Sequence, residues 1–249
     1  MPMTASRSLH DGAPVSSRVF LASLLGLALL LAWDHSGLDL WMAHWFGSAT
    51  GFAYEDHWFW RGTLHDDIRW LPWMVELALL AAVARPFGAL RGLAVERRVQ
   101  LALTTLVSLL VVSTLKLHSL TSCPWELREF GGTVAYVSHW AWGVRDGGSG
   151  GCFPAGHASA GFAFIGGFFA LRHTLPRTAR RWLAGALAAG LVLGLAQQVR
   201  GAHYMSHTLW TAWLCWASAA LVDNIVGQML SQRPSPDQAQ VPTLATLNP

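Results

Sequence analysis

Apolar runs of about twenty residues recur along this chain, and nothing else constrains its fold as strongly. A bilayer core is roughly 30 Å thick, the length of about twenty helical residues. No water there satisfies a backbone N–H or C=O, so a lipid-exposed run must satisfy its own, as a helix does. The spacing predicts six spans, at approximately 18–33, 71–90, 99–117, 157–172, 181–199 and 207–230. With 53% hydrophobic and 12% charged residues, the expectation is an all-α polytopic protein, one domain of six transmembrane helices over 18–231. Residues 1–17 read as a disordered cytoplasmic tail, and 232–249 as a disordered tail rich in Pro, Gln and Ser. Arg7 and Arg18 precede the first span, but Leu-Ala-Trp-Asp-His-Ser at its end offers no cleavage site. It reads as an uncleaved anchor.

Basic residues in short loops set orientation. Arg85, Arg91, Arg97 and Arg98 follow span two, and Arg172, Arg177, Arg180 and Arg181 follow span four. Both loops, and both termini, are expected in the cytoplasm. Segments 34–70, 118–156 and 200–206 then face the other side. The net charge of +3 follows from this topology, and no basic patch interleaved with aromatics suggests nucleic acid as a partner.

Three far-side ends of spans carry groups suited to phosphate chemistry. Lys116 ends span three, and it is the one Lys among 17 basic residues. A Lys snorkelling at a span end is unremarkable, but a lone Lys among Arg also suggests a position that needs a compact ammonium. Cys152-Phe153-Pro154-Ala155-Gly156-His157 closes a Gly-rich run and opens span four. Pro suits a helix start, free N–H groups there bind anions, and His157 could donate a proton to a phosphate ester. Arg200, His203 and His207 fall on one face if the stretch is helical. Cys123 and Cys152 both lie on the far side, where an oxidising compartment permits a disulfide; two unpaired thiols are the alternative. Cys215 lies within span six and reads as core.

Other features have plainer readings. The Trp-rich segment 34–70 reads as short interfacial helices in an aromatic belt. His65-Asp66-Asp67 has the content of a metal site but no second ligand at a sensible spacing, and no metal is expected. Glu76 inside span two is a costly buried carboxylate whose partner is not evident. Trp210, Trp213 and Trp216 form one face, for packing or lipid contact.

The ordered groups resemble the type 2 phosphatidic acid phosphatase superfamily, also called PAP2. That family carries Lys-x6-Arg-Pro, then Pro-Ser-Gly-His, then Ser-Arg-x5-His-x3-Asp. Here Lys116 and Pro124 match the first part, Pro154-Ala155-Gly156-His157 the second, and His203 the third. Cys123 stands for the first Arg, Ala155 for Ser, Gln197 for the second Arg and His207 for Asp. Cys-Pro-Trp and Arg-Gly-Ala-His in these places resemble a bacterial branch that includes lipid A phosphatase-like proteins. The resemblance implies a metal-independent, cofactor-free lipid phosphatase of the bacterial inner membrane, facing the periplasm. His203 would be the nucleophile and His157 the general acid, and His207 would orient His203, with Glu126 or Asp146 as other candidates. Lys116, Arg200 and the Gly156 N–H would bind phosphate. Implied substrates are undecaprenyl pyrophosphate, phosphatidylglycerol phosphate, phosphatidic acid and lipid A phosphates. A lipid phosphotransferase with the same site, or a non-catalytic lipid-binding or transport protein on this scaffold, would carry the same motifs.

Overall fold

The apolar runs form helices whose hydrogen bonds close within each segment. The computed structural model describes residues 17–62 and 68–232. The tail assignments and His65-Asp66-Asp67 lie outside them, apart from Ser17 and Gln232. The helices are α1 (Ser17–Asp34), α2 (Leu38–Ala43), α3 (Leu71–Ala84), α4 (Val95–His118), α5 (Ser159–Phe162), α6 (Gly166–Leu171), α7 (Pro176–Val199) and α8 (Met205–Ser231). Among the described residues, strand is confined to a hairpin of two two-residue strands, β1 (Gly47–Ser48) with β2 (Gly51–Phe52).

Among the described residues, five helical segments are long and apolar enough to cross a membrane: Ser17–Asp34, Leu71–Gly92, Val95–His118, Pro176–Val199 and Met205–Ser231. The fourth expected span differs. Residues Ser159–Leu171 form a shorter helix broken by a 3-10 turn at Ala163–Ile165. At about 1.5 Å per residue it falls well short of the bilayer core. Its position explains how this is tolerated: Phe162, Ala163, Ile165, Phe169 and Leu171 are buried, packed among α4, α7 and α8. Irregular backbone is allowed at membrane depth where protein, not lipid, surrounds it. Close approach is built in by glycine. A Cβ on Gly161 would lie 2.2 Å from the Gly190 nitrogen of α7.

α4 is the spine, lying against α3, α6 and α8. At its first turns, Asp223 of α8 is 5% exposed and gathers three donors. Gln100 Nε2 donates at 2.9 Å, Arg172 Nη2 at 2.7 Å and Arg97 Nη1 at 3.4 Å. Arg98 Nη1 donates to the carbonyls of Ala82 and Val83, which end α3 without helical partners. The tryptophan face of α8 docks on α1. Trp213 Nε1 donates to Ser23 O at 3.0 Å, Trp216 Nε1 to Ser23 Oγ at 2.9 Å, and Trp210 Nε1 to Asp34 at 2.9 Å. Glu76 is 3% exposed, and neither carboxylate oxygen has a hydrogen-bond partner among the described residues.

Replacing Asp223 by Ala removes the one carboxylate that buried Arg97 and part-buried Arg172 share. The expected cost is about 3–5 kcal/mol of stability. A markedly lower thermal midpoint in detergent is the expected result; an unchanged midpoint would show that the network is dispensable.

Candidate active site

The far end of α4 presents Lys116, half-buried, to two neighbouring spaces. A cleft of about 170 Å³ is lined by Pro72 and Trp73 of α3, Ser113 and Lys116 of α4, and Gly156 and His157. A larger cavity of about 510 Å³ shares Ser113 and Lys116 and is bounded by Arg145 and the 148–151 backbone. The Lys116 ammonium donates to Gly151 O, which places it on the wall between them.

The Pro-Ala-Gly-His segment does not open a helix directly. Residues 153–154 form a bend and 156–158 a turn, and α5 begins only at Ser159. The segment is tied instead to α8: Ala155 N–H donates to His207 O at 3.3 Å, and Thr211 Oγ1 donates to Ala155 O at 3.1 Å. This joins the second and third sequence motifs through backbone groups.

The third cluster departs from the single-helix expectation. α7 ends at Val199 and α8 starts at Met205, with Gly201 at φ +76° between them. That left-handed conformation, ready for glycine, ends the helix, so Arg200, His203 and His207 do not share one face. Arg200 is 4% exposed and points into the loop layer. Its Nε donates to Glu55 O at 2.9 Å, its Nη1 to Gln197 Oε1 at 3.0 Å, and its guanidinium lies 5.6 Å from the Trp125 ring centroid. These contacts anchor the loop that carries His203.

His203 is 4% exposed and is not part of the cleft lining. Burial holds its pKa well below the ordinary 6.5, and the neighbouring Lys116, His207 and His157 act in the same direction. A backbone hydrogen bond to Cys152 works the other way. Its Nδ1 lies 3.7 Å from Cys152 Sγ. His207, expected to orient it, sits instead in an aromatic box. Its ring lies 5.3 Å from Phe153, 5.5 Å from His139 and 5.2 Å from Tyr204, and its Nδ1 finds no hydrogen-bond partner among the described residues. The His203 and His207 ring centroids are 5.8 Å apart.

Cys123 and Cys152 are joined by a disulfide, with Cα atoms 5.1 Å apart at a sequence separation of 29. Cys123, Cys152 and His203 are also the one group among the described residues with metal-ligand spacing, but the two sulfurs are bonded to each other. The disulfide closes the base of the Gly-rich loop, and two carboxylates hold the rest. Asp146 accepts from Ser122 N–H at 2.6 Å, Ser122 Oγ at 2.8 Å and Gly148 N–H at 3.0 Å. Burial alone would raise its pKa, yet these hydrogen bonds bring it below the ordinary carboxylate value. Glu126 accepts from Cys123 N–H and Ser149 N–H, both at 3.0 Å. Neither carboxylate orients His203.

The family model of the PAP2 superfamily matches residues 98–229. The chain belongs to the PAP2 superfamily. No curated protein and no solved structure matches it significantly. The PAP2 match takes in Lys116, the 154–157 segment, His203 and His207, and leaves out everything contributed by the first three helices. That omitted part supplies Asp34 and Asp39, and the matched part His139, as supports that the motifs do not mark. Asp39 accepts from Ser206 N–H at 2.9 Å and from the Ser206 hydroxyl, capping the first turn of α8 directly after His203. Asp34 accepts from Trp140 Nε1 and Trp210 Nε1, both at 2.9 Å. His139 stacks on Phe153 at 4.3 Å, and burial lowers its pKa against the pull of Asp34 and Asp39. Nothing local in the sequence marks these three residues, since each acts on a segment more than a hundred positions away or on a ring unremarkable by spacing.

Loss of the disulfide frees a long loop in the unfolded chain. Replacing both Cys123 and Cys152 by Ser is expected to cost about 2–4 kcal/mol. A thiol reductant should bring the wild-type thermal midpoint down to that of the double variant and leave the variant itself unmoved. A wild-type midpoint indifferent to reductant would contradict the cross-link.

Proposed function

We propose that this PAP2 protein is a membrane lipid phosphatase that works through a phosphohistidine. One observation carries the reading: Lys116, Gly156 and His157 line a single cleft, with His203 buried close enough to feel the charge of both Lys116 and His157. In this reading a phosphate enters beside Lys116, whose ammonium neutralises the charge spread over its oxygens. The Gly156 N–H adds a donor. His203 attacks phosphorus through Nε2, its Nδ1 proton held toward Cys152. His157 protonates the departing oxygen and then takes a proton from the attacking water. Because the cleft stops short of His203, attack follows a small opening of its floor. Arg200 acts by holding the 200–204 loop through Glu55, Gln197 and Trp125.

The position of Lys116, at the end of α4 opposite the Arg-rich loops, supports a site facing the periplasm of a bacterial inner membrane, with both termini cytoplasmic. The apolar wall of Pro72, Trp73 and Leu109 supports a substrate whose tail remains in the bilayer. That fits a lipid phosphate or pyrophosphate of the lipid A, undecaprenyl pyrophosphate or phosphatidylglycerol phosphate type.

The test is phosphate release from these lipids by purified protein in detergent with a chelator present. Release is expected to fall by on the order of 10³-fold or more in His203→Ala. Lipid binding without release in the wild type would overturn the phosphatase reading in favour of a binding or transport role. Phosphoryl transfer to a second lipid would overturn hydrolysis alone.

The pH dependence has a definite sign. A His with a depressed pKa stays neutral, hence nucleophilic, at pH values where a free imidazole is protonated. The acid limb of kcat/KM is therefore expected below pH 6.5. The same burial makes the folded state bind fewer protons than the unfolded one just below 6.5, so stability declines as pH falls through that window. An acid limb above 6.5 would remove His203 as the neutral nucleophile.

A further inference from the structure

The larger cavity beside Lys116 is not used by the chemistry above. Its volume of about 510 Å³ lies in the range of small-molecule sites. Its rim is rigid: Asp146, Glu126, the disulfide and the Gly151 N–H bond to Ser119 O all hold the 146–152 loop. Those same bonds occupy the N–H groups of Gly148, Ser149 and Gly151, leaving little backbone to bind an anion. Recognition of charge in this cavity therefore falls to side chains, and two cationic ones line it, Lys116 and Arg145. Arg145 is exposed, and no hydrogen bond or ion pair engages it among the described residues. Its neighbour Asp146 does not neutralise it by contact, since both carboxylate oxygens face Ser122 and Gly148.

The cavity also continues into apolar surface. Ser119 and Leu120 are shared with an adjoining groove, which runs past Leu115, Trp142 and Phe153 to Trp140, Trp210 and Leu214. A charged chamber with one wall in the catalytic cleft and one end in an aromatic groove fits an anionic lipid with two phosphates in tandem.

We propose that Arg145 binds the non-transferred phosphate of a lipid diphosphate and so selects diphosphates over monophosphates. This rests on the phosphatase reading for its chemistry. The terminal phosphate sits between Lys116 and His157. His203 Nε2 forms a bond to the terminal phosphorus as the bond from that phosphorus to the bridging oxygen breaks. The electron pair leaves on the bridging oxygen with the lipid monophosphate, and His157 supplies its proton. Arg145 and Lys116 flank the phosphate that departs. Arg145 thus does for the leaving group what a guanidinium does well, bidentate pairing with phosphate oxygens.

The test separates binding from turnover. Full-length His203→Ala protein in detergent is titrated with a prenyl diphosphate and with the monophosphate of the same chain, following tryptophan fluorescence. The expected result is a preference of about tenfold for the diphosphate, lost when Arg145→Ala is added and partly kept with Arg145→Lys. Arg181→Ala, at the opposite end of the molecule, controls for net charge and keeps the preference. No preference in the parent, or one that Arg145→Ala leaves intact, overturns the proposal. Equal weakening of both lipids also overturns it, by making Arg145 a general anion contact. Phosphate release by the wild type is measured alongside. Its absence would fail the phosphatase reading alone, because the binding ratio still reports on Arg145.

Discussion

The disulfide between Cys123 and Cys152 is the contact on which the site depends. It joins the loop that leaves α4 to the segment that brings Gly156 and His157 into the cleft. It also lies against His203, with Cys152 Sγ 3.7 Å from Nδ1. A single covalent link therefore joins two stretches that carry the family motifs and lies against the third. Around it, Asp146 and Glu126 use backbone and hydroxyl donors to fix the Gly-rich loop. The cation positions are then held by packing and carboxylates that stay outside the cleft, so the charge of Lys116 is not cancelled by a salt bridge. The proposed phosphate site needs that arrangement, because a resident carboxylate would compete with the ligand.

The two ends of α4 are built on opposite principles. One end closes its charges on each other: Arg97, Arg172 and Gln100 converge on Asp223, deep within protein. The other leaves Lys116 and Arg145 with cationic capacity toward open space. Satisfied buried networks specify packing, while unsatisfied charge at a cavity specifies a ligand. A helix of 24 residues, about 36 Å long, carries both in one rigid element. The short broken segment of α5 and α6 lies inside this frame, where neighbouring helices take the place of lipid.

Much of this was legible in the chain. Apolar length predicts the five long helices, and residue type and position mark the lone Lys116 and His157. Hydropathy predicts an ordinary crossing for the fourth span because it reports how apolar a segment is, not whether protein or lipid surrounds it. Helical spacing puts Arg200, His203 and His207 on one face, and Gly201, at φ +76°, breaks that face. Once the helix ends there, Arg200 turns toward Glu55 and Trp125, contacts 145 and 75 positions away that spacing cannot reveal.

Hydrophobicity and side-chain chemistry belong to each segment alone, so the chain order already carries the membrane helices, the succession of motifs and the chemical types available. Which group faces which is a matter of tertiary packing. It put Asp39 on the first turn of α8, set Cys152 against His203, enclosed His207 in aromatics and placed Arg145 and Lys116 on the lining of one cavity. Each of these partnerships joins different elements of the chain, and a partner's distance in space is fixed by the packing of all the helices between them.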